Sequence, residues 1–185
     1  VDRFGQFTRW GWPWKVTTVQ NLRDQKSAED SDLAANPGNG ETYGSTTMTG
    51  TATGAWRLTR TPNGRYYFVS PAGRFFWSFG IDSVSMGAPT ITTNRESMFL
   101  DLPTGTDPRM QFYGSIVRDG QTKQTYSHFT ANVSEKLGTG WETAWKTLSG
   151  KRMRSWGVNT LGSGSDRTQL VQNSMPFIWP VTTLS

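Results

Sequence analysis

The side chains best suited to acid–base chemistry in this sequence are carboxylates. The chain contains no cysteine and a single histidine, His128, which disfavours thiol catalysis, a His-based triad and a His-based metal site. We interpret His128 as a surface or core residue of a predicted helix. Two facing carboxylates can act as general acid and general base. Five acidic residues lie in predicted loops or at the ends of predicted elements: Asp82, Glu96, Asp101, Asp107 and Asp166.

Four residues beside predicted strands are the candidate substrate contacts: Asp82, Trp156, Asn159 and Asp166. Asp82 and Asp166 lie at or just past the ends of predicted strands, where the sites of α/β proteins form. Each residue also has a structural interpretation. Asp166 is suited to cap a helix, Asn159 to serve as a satisfied buried amide, and Trp156 to pack a helix–strand junction. No residue is assigned to catalysis, to a metal or to a cofactor.

The composition is that of a folded, turn-rich domain of 185 residues, of which 13% are aromatic and 18% charged. The aromatic content argues against wholesale disorder. No apolar run approaches 18 residues, so no membrane segment is predicted. The net charge of +5 comes from scattered residues, and we therefore expect no nucleic-acid partner. The length is also too small for a self-contained (β/α)₈ barrel, which takes about 250 residues.

The first half of the chain predicts an irregular arm, one helix and a hairpin. The helix over 17–35 ends at Asn36-Pro37-Gly38, because proline excludes the preceding residue from the α region. Asn63-Gly64 is a strong hairpin turn signal between strands at 56–60 and 65–70. A third strand, 75–82, is apolar on both faces, which predicts a central strand buried on both sides. The tryptophans of the arm form either a packed segment or a surface on which sugars stack: Trp10, Trp12 and Trp14.

The second half predicts alternating strands and helices. This order favours parallel strands joined by right-handed crossovers. The predicted class is therefore α/β. We place a domain of residues 56–185 after an N-terminal arm, helix and loop of residues 1–55. The predicted elements are a strand at 111–117, helices at 126–137 and 141–153, a strand at 157–162, a helix from Ser165 or Asp166 to 172, and an apolar run at 175–181.

Four stretches, taken together and in order, resemble the start of the catalytic region of the β-agarases of glycoside hydrolase family 50. They run over nearly all of the chain, and the ordered set is more specific than any one of them. One departure is Gly164, which stands where we expect an aromatic sugar-stacking residue. The stretches are VDRFGQ at 1–6, AEDSDLAANP at 28–37, NGRYYFVSPAGRFF at 63–76 and RMRSWGVNTLG at 152–162.

The resemblance implies part of a (β/α)₈ TIM barrel preceded by an antiparallel hairpin that covers its N-terminal end. Barrel strands one, two and three would be 75–82, 158–162 and 177–181. It implies hydrolysis of a marine galactan such as agarose by two glutamates on later strands, which this chain lacks. A second part of the barrel, from the same gene or a partner chain or second copy, would then be required. The implied location is secreted or periplasmic.

Two expectations follow. The parallel order predicts that Asn159 and Asp82 face a common cleft at the C-terminal ends of adjacent strands. Because the catalytic glutamates are lacking, a non-catalytic carbohydrate-binding or interaction protein derived from the same family stays open as the alternative.

Overall fold

The computed structural model describes residues 1–9, 11–38, 43–168 and 173–178. Contacts divide the chain into two compact units, each built from two stretches of sequence. Unit 1 comprises Val1–Asp30 and Met86–Trp145, and unit 2 comprises Ser31–Ser85 and Lys146–Ser185. The division after residue 55 predicted from the sequence stays a prediction.

The elements bounded within the described residues mix short strands with three α-helices, which confirms the α/β class in its coarse form. Two 3₁₀ helices, Glu96–Met98 and Pro108–Phe112, lie between β5 and β6. No helix in the described part of the chain is long and apolar enough to cross a bilayer. The elements are α1 (Val19–Ala35), β1 (Arg57–Arg60), β2 (Tyr66–Val69), β3 (Phe75–Phe76), β4 (Gly80–Ile81), β5 (Thr90–Ile91), β6 (Tyr113–Arg118), β7 (Gln121–Tyr126), α2 (His128–Leu137), α3 (Trp141–Ser155) and β8 (Thr160–Leu161).

Unit 1 is organised by an antiparallel sheet of order β5-β7-β6. The β6–β7 hairpin turns at Asp119-Gly120, where both residues have positive φ (55° and 70°), as a two-residue hairpin turn requires. Ser127 then caps α2 by accepting the Thr130 N–H. The core beneath the sheet contains Phe112 and Tyr126.

The prediction for this region gives the helix correctly except at its start, and it misses one strand. The sequence predicts a helix over 126–137, but Tyr126 is the last residue of β7 and the helix begins at His128. Strand β7 itself was not predicted, because Gln121–Tyr126 is mostly polar and lacks apolar alternation. Tyr126 and Phe129 are three residues apart, a spacing typical of one face of a helix, although Tyr126 belongs to β7 and Phe129 to α2.

His128 is part of the aromatic core of unit 1 and is buried. Its ring stacks on Phe99 at 5.6 Å between centroids and meets the edge of Tyr126 at 4.7 Å. Within the described residues its Nε2 and the Tyr126 hydroxyl have no hydrogen-bond partner. Burial lowers the pKa of His128, and a smaller opposing effect comes from Asp2. Burial also raises the pKa of Tyr126 to about 12.

We expect the stability of unit 1 to fall on mild acidification. Because the folded-state pKa of His128 lies below 6.5, its contribution is complete above pH 6.5 and is lost as the pH falls through the folded-state pKa. The measurement is the free energy of unfolding in urea between pH 7.5 and 5. His128→Phe keeps an aromatic ring in the stack and is expected to flatten this dependence. An equally steep dependence in the variant would contradict the assignment, since His128 is the only histidine in the sequence.

Unit 2 contains the predicted hairpin, which the structure confirms. β1 and β2 pair antiparallel from Arg57↔Val69 to Arg60↔Tyr66, and β3 extends the sheet beside β2. Gly64 lies in the turn with φ of +84°. The core of unit 2 contains Met153, Val158, Leu161 and Met175.

The predicted central strand 75–82 is divided between two sheets. Phe75-Phe76 pairs antiparallel with β2, whereas Gly80-Ile81 pairs parallel with β8. Its side chains are not buried on both faces, since Trp77 is 73% exposed and Phe79 is 56% exposed. Apolar residues on both faces predict burial only where two layers cover the strand, and the described residues supply no second layer here.

The helices that precede and follow these strands in the sequence, α1 and α3, lie close to their predicted ranges. The predicted 17–35 helix is α1, where Thr18 Oγ1 accepts the Asn21 N–H at 3.1 Å. The predicted 141–153 helix is α3, which continues to Ser155. The remainder of the predicted helix to residue 172, the apolar run beyond 178 and Trp10 lie outside the described residues.

Candidate functional site at the ends of a parallel strand pair

The candidate site is built on the parallel ladder of unit 2. β4 and β8 pair in the register Gly80↔Thr160 and Ile81↔Leu161. A parallel bridge joins Leu161 to Phe177 on the other side. The predicted parallel arrangement of these strands is therefore confirmed at their centre. The approach is close at Gly80, where a Cβ would lie 2.9 Å from the Thr160 carbonyl oxygen.

Asp82 and Gly162 form the C-terminal end of this ladder. The Gly162 N–H donates to the Ile81 carbonyl at 2.9 Å. A Cβ at Gly162 would lie 1.8 Å from the Asp82 Oδ1, so the Asp82 carboxylate lies directly over the glycine. Asp82 is exposed. This carboxylate is therefore held at a strand end with access to solvent.

The loop after β8 brings Asp166 to the same end. The Asp166 N–H donates to the Val84 carbonyl at 3.0 Å, and the Ser83 N–H donates to Ser163 at 2.9 Å. The Asp166 Oδ1 accepts from the backbone N–H of Thr168 at 2.9 Å and from its hydroxyl at 2.8 Å. This is the pattern of a helix N-cap, the structural interpretation offered by the sequence. Asp82 and Asp166 thus both lie in the loops that follow the strands at this C-terminal edge.

Asn159 lies at the opposite end of the ladder. It precedes β8, and its Oδ1 accepts the Phe79 N–H at 2.8 Å while its Nδ2 donates to the Trp77 carbonyl at 2.9 Å. The Thr160 hydroxyl also donates to Oδ1, at 3.0 Å. The amide therefore satisfies backbone groups of the segment that enters β4.

The predicted common cleft of Asn159 and Asp82 is wrong. Asn159 is level with Phe79, three residues before Asp82 in the ladder register, or about 10 Å along a strand. The error arises because the sequence predicts β8 from residue 157, whereas pairing begins at Thr160. The substrate-contact roles of these residues stay predictions.

Trp156 is also on the side from which β8 begins. It follows the last turn of α3, where its N–H donates to the Arg152 carbonyl at 3.0 Å. The indole is 62% exposed, so it is not buried in the helix–strand junction. Its exposure leaves the ring face open to a ligand.

The carboxylates Asp101 and Asp107 are held by a residue that the sequence analysis missed, Arg109. Its guanidinium contacts Asp107 at 2.6 Å and Asp101 at 3.1 Å. Hydrogen bonds from Arg109 lower the pKa of Asp107. A glycosidase acid needs a raised pKa, so Asp107 is suited to structure and not to proton donation. The Asp-Pro-Arg spacing, with Asp107 capping a 3₁₀ helix, is the signal that points to it.

The described residues contain no group of three His, Cys, Asp or Glu side chains placed to hold a metal ion. Glu96 accepts the Asn94 N–H at 3.2 Å. The C-terminal edge can form hydrogen bonds with hydroxyl groups through its exposed carboxylate and serine oxygens. Sequence reasoning missed Ser83, whose φ is +58°, and the Gly-Ser-Gly-Ser composition of the facing loop was the available signal.

No protein-family model matches the chain. Two β-agarases of Vibrio sp. (strain JT0107) are similar to it in sequence. β-Agarase B is 28% identical over 198 residues, which cover 90% of this chain and 20% of that protein. β-Agarase A is 29% identical over 133 residues, covering 63% of this chain and 12% of that protein. The chain thus spans about a fifth or less of the length of these relatives.

Solved structures of agarases share the fold. The crystal structure of the agarase AgWH50C superposes with a TM-score of 0.81 at 25% identity, over 96% of this chain and 29% of that one. PfGH50B gives 0.84 at 24% identity, and an exo-β-agarase gives 0.83 at 20%, each over 96% of this chain and about 30% of theirs. The chain is therefore similar, over nearly all of its length, to one part of the β-agarases of glycoside hydrolase family 50, and the resemblance inferred from its sequence is confirmed.

Proposed function

We propose that this chain is part of a glycoside hydrolase that acts on an agarose-like galactan. The observation that carries the proposal is the parallel β4–β8 pair, whose C-terminal edge presents Asp82 and Asp166, in a chain of which 90% matches β-agarase B. Sites of β/α barrels form at that edge of the strands. On this proposal β4 and β8 are the first two strands of a (β/α)₈ barrel, and the segment at Phe177, which forms a parallel bridge to Leu161, belongs to the third.

The proposed hydrolase needs a catalytic carboxylate pair that the described residues do not bring together. Hydrolysis of a glycosidic bond takes an acid and a second carboxylate about 5–10 Å apart. Asp107 is ion-paired, and Asp166 accepts two hydrogen bonds from Thr168. The remaining barrel, in the same polypeptide, a partner chain or a second copy, would supply the pair. Trp77 and Phe79, on the segment that precedes β4, are exposed apolar side chains that the remaining barrel could cover. A galactan substrate implies a secreted or periplasmic location.

The second candidate is a carbohydrate-binding protein without catalysis. Two observations favour it. Asp107 and Asp166 are occupied by an ion pair and by hydrogen bonds within the chain, and the indoles of Trp14, Trp77 and Trp156 are exposed. Sugar rings stack on exposed aromatic faces. A binding protein and a part of an enzyme both predict recognition of the polysaccharide, and they differ in whether adding the remaining barrel creates activity.

We expect the chain of 185 residues to bind agarose without cleaving it. Its migration in affinity electrophoresis should be retarded by agarose and unaffected by dextran, a glucan. New reducing ends released from agarose should not exceed a blank. Failure of agarose to retard the chain would contradict the substrate class. Release of reducing ends that is abolished by Asp82→Asn would contradict the need for further carboxylates.

A further inference from the structure

Unit 1 contains an open groove of about 650 Å³ that the agarase resemblance does not address. It lies between the 3₁₀ helix at Pro108–Phe112 and the last part of α2. Its volume is in the range of small-molecule sites, about 300–1,000 Å³. The floor includes Phe112, which is buried.

Two ion pairs line the groove and balance its charge. Arg3 pairs with Glu135, and Arg109 pairs with Asp107 at 2.6 Å. All four side chains line the cavity, so its formal charges are two positive and two negative. A neutral ligand with both donors and acceptors is matched by such a lining, whereas an anion or a cation meets a like charge.

The groove also offers hydroxyl groups with unused hydrogen-bonding capacity. Thr104, Thr106 and Ser134 line it, and no side-chain hydrogen bond of theirs is found among the described residues. The ion-paired groups are already oriented by their partners, and the Arg109 guanidinium is held by five hydrogen bonds to Asp107 and Asp101. A ligand would therefore meet a preorganised set of polar groups, which reduces the entropy cost of binding.

We propose that this groove binds a neutral, hydroxyl-rich saccharide segment of the galactan chain. The choice of a galactan rests on the proposed function, and the preference for an uncharged saccharide rests on the paired charges. Carboxylates accept from sugar hydroxyls and guanidinium groups donate to them, so both members of each pair contribute. The groove thus provides unit 1 with a polysaccharide-binding site of its own.

The test is an NMR titration of the ¹⁵N-labelled chain with a neutral agarose tetrasaccharide. We expect shifts of groove residues and a measurable dissociation constant. Glu135→Gln should weaken binding about tenfold, because hydrogen bonds to charged groups are the stronger ones. Thr106→Trp, at an exposed loop position, should fill the groove and abolish binding. Glu142→Gln makes the same chemical change as Glu135→Gln on the exposed first turn of α3, and it should bind like the parent.

Unchanged affinity in both groove variants, with folding verified by their amide spectra, would overturn the proposal. Tighter binding of a sulfated carrageenan tetrasaccharide than of the neutral one would overturn it as well. The proposed function fails separately. If agarose retards the chain but the tetrasaccharide leaves the groove unshifted, the groove proposal alone is wrong. If agarose does not retard the chain either, the substrate class is wrong too.

Discussion

Gly150→Ala is expected to lower the free energy of unfolding of unit 2 by about 2–4 kcal/mol. A Cβ at this position of α3 would lie 2.0 Å from Asn173 Oδ1 and 2.3 Å from its Cγ. Asn173 is buried, and its amide donates to the Lys146 carbonyl at 2.9 Å. The added methyl therefore has to displace a buried amide that is tied to the helix. The gain in helix propensity, about 1 kcal/mol, is smaller than this cost.

The measurement is urea unfolding followed by circular dichroism. Gly11→Ala is a matched control, because no heavy atom lies within 4 Å of its added Cβ, and it should leave stability nearly unchanged. In the double variant with Asn173→Ala the clash is removed, so the loss should be smaller than the sum of the two single losses. A Gly150→Ala protein as stable as the parent would show that Asn173 does not hold its position against α3.

Asn159→Ala is expected to destabilise unit 2 by about 1–3 kcal/mol. It removes the acceptor for the Phe79 N–H and the donor to the Trp77 carbonyl. The melting temperature should fall by about 2–4 °C for each kcal/mol. Of the two interpretations of Asn159 that the sequence leaves open, this expectation follows the structural one.

Asn159→Asp separates the two bonds, because it keeps an acceptor for Phe79 and loses the donor to Trp77. Its melting temperature should lie between those of the parent and Asn159→Ala. Affinity electrophoresis in agarose supplies the second readout. An unchanged melting temperature together with lost retardation would assign Asn159 to the polysaccharide instead.

The parts of the fold that were predictable from sequence are those with local signals. Asn63-Gly64 specifies the hairpin through turn chemistry, and Asn36-Pro37 ends α1 through the steric restriction before proline. β7 was missed because Gln121–Tyr126 is mostly polar and carries no apolar alternation. Its partner β6 was predicted, since its Asp119-Gly120 turn is a local signal.

At the candidate site, sequence order sufficed for the parallel pairing but not for the ends of the ladder. Asp82 and Asp166 lie in the loops that follow β4 and β8, as the strand order predicts, and their roles as substrate contacts stay predictions. Asn159 was misplaced because the residue at which β8 begins to pair, Thr160, is set by the position of β4 beside it. The sequence of β8 alone does not contain that information. The Arg3–Glu135 ion pair was missed for a related reason, since the two residues are 132 positions apart.

The β4–β8 ladder also has a kinetic consequence. Gly80 pairs with Thr160, 80 positions later, and a whole stretch of unit 1, Met86–Trp145, lies between them in sequence. Closing so long a loop is entropically unfavourable until other contacts compensate, and pairings between distant residues slow folding. The β1–β2 hairpin and the β6–β7 hairpin close over a few residues and can form early. The ladder that carries the candidate site is therefore expected to be among the last parts of the chain to assemble.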